Sequence, residues 1–373
     1  MLRLLFLMLI ANCCFSQPRQ TENIILITVD GLRWQEIFQG ADSSILYNKE
    51  YTKDTRVIDK YWHSDEQNSR QALMPFFWNT IAKHGQLYGN RKYDNNVNCA
   101  NMKWFSYPGY SELLVGFVEP AVKSNDNIEN PNYTVLEYIE QQPGFDNKVA
   151  VFSTWETIAY VMRANTTGIP ANAGNEPAKG PLSEQQLLLN ELQSIIQNPY
   201  GSRYDAFTFY QAFEYLKFKR PRVLFVSFDE TDEHGHGGRY DQYLESIHST
   251  DEMIRRLWEW IQNDAQYKDK TTLLISTDHG RGRDSNQKWK GHGLLHFGSG
   301  QIWFAVIGPD TPASGEIKQP MKLFQKQFAK TAAAFLGFDY CNERPVGEVI
   351  LSMFTRNNLT IVDGATFNAL NGK

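Results

Sequence analysis

Cysteine is scarce in this chain: there are four, and only Cys99 and Cys341 lie beyond the adjacent pair Cys13 and Cys14. Neither has C-x-x-C or C-x-x-H company, which argues against a structural zinc module or a disulfide-dense scaffold. A basic surplus is missing too. Lys and Arg number 37 against 42 Asp and Glu, a net charge of -5, and the cations are scattered, so no nucleic-acid groove is indicated. After the first residues there is no apolar run long enough to span a bilayer, no internal repeat, no low-complexity tract and no linker that would divide the chain. An anionic substrate would have to be held by local cations, and metal ions are the obvious ones.

What is present begins with a leader. M-L-R-L-L-F-L-M-L-I-A-N-C-C-F-S carries one positive charge, a short apolar run and small residues near Ser16, the pattern of a cleaved secretory signal. The expectation is a mature chain of 17–373, periplasmic or secreted and without a transmembrane anchor. Cys13 raises a lipid-anchored alternative, which Asn12 before it disfavours. Cleavage leaves Cys99 and Cys341, which either pair or stand as two buried thiols. The sequence leaves both open.

At 42% hydrophobic the mature chain can bury one large core. Continuous apolar runs end at Asp30 and recur at 149–153, 222–229, 271–278 and 302–308, as expected of strands covered on both faces. Helical patterns lie between them at 73–84, 133–141, 184–197, 204–217, 240–262 and 321–336. Such alternation implies a mostly parallel α/β sheet with helices on both faces, in a single domain with loop insertions. The helix from 240 is the clearest, with Tyr243, Ile247, Ile254, Leu257, Trp258 and Ile261 on one stripe. The Gly-, Pro- and Asn-rich stretch 164–183 reads as a loop that could cap a site.

Four acidic or histidine-bearing segments stand out: Asp30, D-E-H-G-H at 232–236, Asp278-His279, and His292 in G-H-G. Three follow β-branched runs, the place where an open α/β sheet presents ligands. Asp232 and His236 are four apart and can face one ion from one helical turn. Mixed carboxylate and imidazole donors suit zinc better than calcium or magnesium. A lone Asp or His near a strand end is commonly a cap or a satisfied core residue; their convergence on one sheet edge is what favours a metal site. His63, His84, His234 and His248 lack such company, and His296 reads as support for His292. Ser106 precedes an apolar helical segment, where open N-H groups and the helix dipole favour a phosphate and a bound cation would activate the hydroxyl. Without the metal ligands it would read as a simple N-cap, and Ser111, inside the helix, points less plausibly at a cleft.

These segments resemble the alkaline phosphatase superfamily, above all its nucleotide pyrophosphatase/phosphodiesterase and single-threonine phosphatase branches. V-D-G-L-R looks like I-D-G-x-R, S-Y-P-G-Y-S like the T-F-P-N-H-Y nucleophile loop, D-E-H-G-H like P-D-x-x-G-H, and S-T-D-H-G and G-H-G like the last two ligand motifs. The resemblance implies that Asp30, Ser106, Asp278 and His279 bind one zinc while Asp232, His236 and His292 bind the other. It implies in-line attack by Ser106, a phosphoseryl intermediate, and two ions about 4 Å apart. Gly109 and Tyr110 depart from the pattern, and Ser replaces the usual Thr. The phosphodiesterase branch carries an Asn beyond the helix, for which Asn125 and Asn127 are candidates.

The substrate expected is a small-molecule phosphate ester, mono- or diester. Lys103, Arg163 and Arg281 are the cations available for its outer oxygens. A sulfatase-like reading comes second, because Tyr110 stands where a sulfatase needs Arg. A cytosolic phosphomutase is disfavoured by the leader. The non-enzyme alternative, a secreted binding protein on this scaffold, would show a missing ligand or nucleophile, and none is missing.

Overall fold

The computed structural model describes residues 19–196, 198, 199, 201–283 and 288–355, so the leader lies outside it. Eleven strands occur among the described residues: β1 (Asn23–Val29), β2 (Gln86–Tyr88), β3 (Asn95–Asn98), β4 (Val149–Ser153), β5 (Ala171–Ala173), β6 (Val223–Phe228), β7 (Thr271–Ser276), β8 (Gln301–Ile302), β9 (Phe304–Ile307), β10 (Gly315–Glu316) and β11 (Met321–Phe324). Eight of them form the central sheet, in the order β10-β2-β9-β7-β1-β6-β4-β5; β11-β3-β8 form a small second sheet. From β7 to β5 every pairing is parallel. β9 runs antiparallel to both its neighbours, β7 and β2.

Strand alternation builds a core on each side of the sheet. Ile25, Ile27 and Val29 face one hydrophobic cluster with Leu224, Val226 and Phe228, while Ile24, Leu26, Val223 and Phe225 face the other. The first is closed by Tyr240–Ile261, whose Tyr243, Ile247, Ile254, Leu257 and Ile261 are buried and whose Trp258 packs at the margin. The second is closed by Ser106–Val115 and Gln327–Phe335. The result is the expected three-layer α/β arrangement. Each fully buried Ile, Val or Leu contributes about 1.5–3 kcal/mol.

Several boundaries differ from the sequence pattern, each for a local reason. The 302–308 run divides at Trp303: β8 pairs with β3, and β9 joins the main sheet. The helix expected at 321–336 begins only at Gln327, because M-K-L-F pairs as β11 with β3. The 73–84 helix is broken at Met74, which leaves the helical region before Pro75; Glu66–Leu73 precedes it and a wide π-helical turn, Phe77–Ile81, follows. The 164–183 loop contains a short helix, Ala164–Thr167, and the edge strand β5 paired to β4. Cys99 is buried and Cys341 exposed, and both are free thiols; the Cys99 Sγ lies 3.4 Å from the Asp278 carbonyl.

Candidate metal centre and cleft

The adjacent strands β7, β1 and β6 end on one edge of the sheet, and each is followed by acidic residues. Asp30 comes directly after β1. Asp278 and His279 follow β7, and beyond β6 the helix Glu230–His236 carries Asp232 and His236 one turn apart. Residues some 250 positions apart in sequence thereby become neighbours: His279 Nε2 is 3.4 Å from Asp30 Oδ1 and 3.3 Å from Asp278 Oδ2. Ser106 Oγ joins them at 3.3 Å from the same nitrogen.

Beside this group, His236 Nε2 lies 3.0 Å from Asp232 Oδ2 and 2.9 Å from His292 Nε2, and His292 Nε2 is 3.9 Å from Asp232 Oδ1. The His279 and His292 rings stack with centroids 4.0 Å apart and join the two groups. Candidate ligand atoms fall within 4.8 Å of one another in two sets, Asp30/Asp278/His279 and Asp232/His279/His292. All seven residues predicted from the sequence are thus brought together.

The donor chemistry fits a cation. Asp30 Oδ1 and Asp278 Oδ2 are buried without a hydrogen-bond partner, a costly state for carboxylate oxygens. His279 directs Nδ1 to the Gly280 carbonyl at 2.8 Å, and His292 directs Nδ1 to the Trp104 carbonyl at 3.3 Å. Those bonds place the proton on Nδ1 and turn the Nε2 lone pairs inward, as a metal-ligating imidazole requires. Acceptors converge on acceptors, and a cation satisfies them together.

The charges respond to this crowding. Burial, then the neighbouring carboxylates Asp278, Asp232 and Asp229, push Asp30 well above the usual carboxylate range. Burial likewise raises Asp278. For Asp232 burial also opposes ionisation, but the Arg281 guanidinium, His292 and His236 outweigh it and hold the carboxyl well below its ordinary value. Burial and the nearby His279 keep His292 neutral far below its usual range.

Close packing explains two glycines in the motifs. Gly31, at φ +60, donates its N-H to Asp278 Oδ1 at 3.1 Å, and a Cβ there would meet Asp232 Oδ1 at 2.5 Å. At Gly109 a Cβ would strike the Asp278 carbonyl oxygen at 2.4 Å, so only glycine lets the Ser106–Val115 helix approach β7 this closely. Ser106 is the first residue of that helix, and Phe105 rather than Ser106 occupies the cap position. The expectation of several open N-H groups there is corrected. Tyr107 N-H goes to Asn125 Oδ1 at 2.9 Å, Pro108 has none, and Gly109 N-H goes to the Phe105 carbonyl.

The centre opens into a cleft of about 470 Å³ whose walls include Ser106, Asn125, Asp126, Asn127, Trp155, Glu156, Asp229 and Glu233. Asn125 is free to turn its amide N-H inward. Asn127 is committed: its Oδ1 accepts from Thr157 at 2.6 Å and its Nδ2 donates to Glu156 at 3.1 Å. None of the three cations considered lines this cleft. Lys103 donates to the Val122 carbonyl, Arg163 lies 3.6 Å from Glu137, and Arg281 is buried against Asp232 and the Trp289 carbonyl. His234 and His248 bond Ser246 and the Leu73 carbonyl, and the His296 ring packs on Gly291. Ser111 accepts from Asn130 at 3.0 Å inside the fold.

Two contributors were not read from the sequence. Tyr110 donates its hydroxyl to Asp30 Oδ2 at 3.1 Å and accepts from Ser227 at 3.0 Å, fixing the carboxylate. Asp229 opens into the cleft directly after β6. Its signal was visible, since it ends R-V-L-F-V-S-F-D as Asp30 ends its own apolar run.

The family model for type I phosphodiesterase / nucleotide pyrophosphatase matches residues 40–290. That span holds Ser106, Asp232, His236, Asp278 and His279 and stops short of Asp30 and His292. No individual curated protein matches the chain by sequence. Among solved structures, the alkaline phosphatase PafA is similar at a TM-score of 0.59 and 10% identity, covering 91% of this chain and 99% of that one. The lipoteichoic acid synthase LtaP from Listeria monocytogenes aligns at 0.54 and 12% identity, over 87% of this chain and 74% of its own. A putative sulfatase from Bacteroides thetaiotaomicron aligns at 0.54 and 12%, over 85% and 71%. At these identities the likeness establishes the fold, that of the alkaline phosphatase superfamily.

Proposed function

The chain belongs to the type I phosphodiesterase / nucleotide pyrophosphatase family, a branch of the alkaline phosphatase superfamily of hydrolases, and from that premise we propose that it hydrolyses phosphodiesters with Ser106 as nucleophile. The observation that carries the reading is the Ser106 hydroxyl, 3.3 Å from His279 Nε2 at the head of a helix and beside the unsatisfied oxygens of Asp30 and Asp278. Asp30, Ser106, Asp278 and His279 would hold one zinc ion, and Asp232, His236 and His292 the other. Bound there, the ions supply a lowered hydroxyl pKa and positive charge for the phosphoryl oxygens.

The chain's own residues do the rest. Tyr110 and the Gly31 N-H hold the Asp30 and Asp278 carboxylates in place. Asn125, with its carbonyl tied to the Tyr107 N-H, presents its amide N-H to a non-bridging oxygen. Attack forms the Ser106 Oγ-P bond and breaks the bond from phosphorus to the leaving oxygen, which departs with a proton. Water then cleaves the Oγ-P bond and Ser106 recovers its proton.

Preference for a diester rests on charge. The cleft walls hold the carboxylates of Asp126, Glu156, Asp229, Asp232 and Glu233 and no Lys or Arg, an environment that disfavours the second negative charge of a monoester. The test compares p-nitrophenyl phosphate, bis-p-nitrophenyl phosphate and p-nitrophenyl sulfate on one zinc-loaded preparation, with Ser106→Ala as control. The diester should be fastest and the variant inactive. A faster sulfate, or full activity in Ser106→Ala, would overturn the reading.

Secretion of the mature chain 17–373 into the periplasm or medium, acting on a small-molecule phosphate ester, belongs to the same proposal. No helix among the described residues is long and apolar enough to cross a membrane.

A further inference from the structure

After His292, which lines the cleft, the chain runs G-L-L-H-F-G-S-G and puts apolar side chains where a turn ordinarily carries polar ones. Leu294 and Leu295 occupy the two corners of a turn closed by the His296 N-H on the Gly293 carbonyl at 2.9 Å, and they are 57% and 84% exposed. Phe297 follows at 65%. The backbone beneath them is fastened at several points: the Ser299 N-H donates to the His296 carbonyl at 3.1 Å, the Arg283 N-H to the Phe297 carbonyl at 3.0 Å and the Gly280 N-H to the Ser299 carbonyl at 2.7 Å. A braced loop therefore holds Leu294, Leu295 and Phe297 out into water, where they add nothing to the core and leave an apolar patch uncovered.

A second segment enlarges the patch. Residues 99–104 pack beside this loop: the Cys99 N-H donates to the Gly300 carbonyl at 2.9 Å, the Trp104 carbonyl lies 3.3 Å from His292 Nδ1, and Met102 between them is 61% exposed. The charge around it is positive. Segments 99–104 and 282–298 hold Lys103, Arg283, Lys288 and Lys290 against a single carboxylate, Asp284, which lies outside the described residues. Lys103 donates to the Val122 carbonyl, next to the exposed Lys123. In a chain of net charge -5 this rim is a local exception, and the acids of the cleft walls come from other segments, 126–156 and 229–233. Another exposed apolar stretch gives the contrast: Leu187 and Leu188 on the helix Glu184–Ile195 also face water, but residues 182–202 contain two glutamates and no Lys or Arg.

We propose that the rim formed by Met102, Leu294, Leu295 and Phe297 docks the mouth of the cleft on an anionic lipid surface. The apolar tips enter the boundary between headgroups and acyl chains, while Lys103, Lys123, Arg283 and Lys288 meet the headgroup charge. Charge selects this occupant over a second copy of the chain. A two-fold contact would set the same cations against one another, whereas an anionic surface neutralises them. Docking concerns where the protein sits, and it holds whether or not the cleft turns over a phosphodiester.

The test measures binding alone. The mature chain 17–373 is sedimented with unilamellar vesicles of phosphatidylcholine containing about 30 mol% phosphatidylglycerol, and with vesicles of phosphatidylcholine alone. The unaltered chain should bind the anionic vesicles at least about ten-fold more tightly. Leu294→Ser/Leu295→Ser/Phe297→Ser should lose about ten-fold or more of that affinity with Tm unchanged within about 2 °C, because no buried contact is removed. Lys123→Glu/Arg283→Glu should lose about ten-fold, and the control Leu187→Ser/Leu188→Ser nothing.

Insertion is read separately from an environment-sensitive nitrobenzoxadiazole label on Leu295→Cys in a Cys341→Ser background, Cys99 being buried. Its emission should rise and shift to the blue on anionic vesicles, and if the triple substitution unfolds the chain this label decides by itself. No binding by the unaltered chain, full binding by the folded triple variant, an equal loss in the control, equal affinity for neutral vesicles, or a label that stays in water would each overturn the docking. So would a dimer in sedimentation equilibrium that the triple substitution makes monomeric, without vesicle binding, since a second copy then covers the rim.

Discussion

The two halves of the centre are held in opposite ways. Asp30, Asp278 and His279 are sealed at the ends of β1 and β7, with His279 and Asp278 entirely excluded from solvent. Asp232, His236 and His292 sit on a short helix and a Gly-flanked loop, and the His236 side chain is 50% exposed. Electrostatics follow the same division. Among the described residues no Lys or Arg pairs with the sealed half, and its carboxylates are driven toward protonation. The open half has Arg281 buried against Asp232, which keeps that carboxylate ionised. A sealed half favours one rigid arrangement, while an open half can admit substrate and release product.

The strongest way to test that difference is to remove one candidate ligand from each side. Asp278→Ala is expected to lose at least about 10³-fold in kcat/KM and to stay inactive when zinc is added. His236→Ala should lose about 10–100-fold and recover part of it in excess zinc, because its position is reached from solvent. Equal losses, with zinc rescuing neither or both, would remove the contrast.

Next in size is the support beneath the open half. Arg281→Ala leaves the Asp232 carboxylate buried without its guanidinium, at an expected cost of about 3–5 kcal/mol in urea unfolding of metal-free protein. Adding Asp232→Asn should return part of that stability. If the double variant is no more stable than Arg281→Ala, the ion pair is not what Arg281 contributes.

The smallest effect is a pH dependence of opposite sign in the two halves. In metal-free protein the folded values of Asp30 and Asp278 lie above their unfolded ones, so the folded state binds more protons. Stability from this half is present at low pH and is lost as pH rises past the ordinary carboxylate range of about 4 toward their raised folded values. Asp232 has a lowered folded value, so its contribution is present above about 4 and is lost as pH falls further. Thermal melts in chelator across this range should show a fall in stability with rising pH that is shallower in Asp30→Asn. An unchanged slope in that variant would mean that the sealed carboxylates carry no such strain.

Most of the fold could be read from apolar runs because strands covered on both faces leave a continuous signal, as in I-I-L-I-T-V and T-T-L-L-I-S. The boundaries near Trp303 and Met321 could not, since which sheet a short strand joins depends on a partner distant in sequence. The candidate ligands were legible for a related reason: a carboxylate directly after a buried strand has one place to go. Asp229 satisfies the same rule, but D-E-H-G-H three residues later carries the stronger pattern. That Arg281, Lys103 and Arg163 point away from the cleft has no sign in the sequence, because a cation's partners belong to other segments.

Taken alone, the amino-acid order determined the strands, the helix stripe from Tyr240, the head of the Ser106 helix and the set of residues able to bind metal. These depend on periodicity and on the nearest neighbours in the chain. Only tertiary structure decided that Tyr110 holds Asp30, that Asn127 is occupied while Asn125 is open, and that Asp229 faces a cleft without a counter-ion. Those outcomes depend on which distant side chains meet once the sheet has formed, and on how much water remains between them.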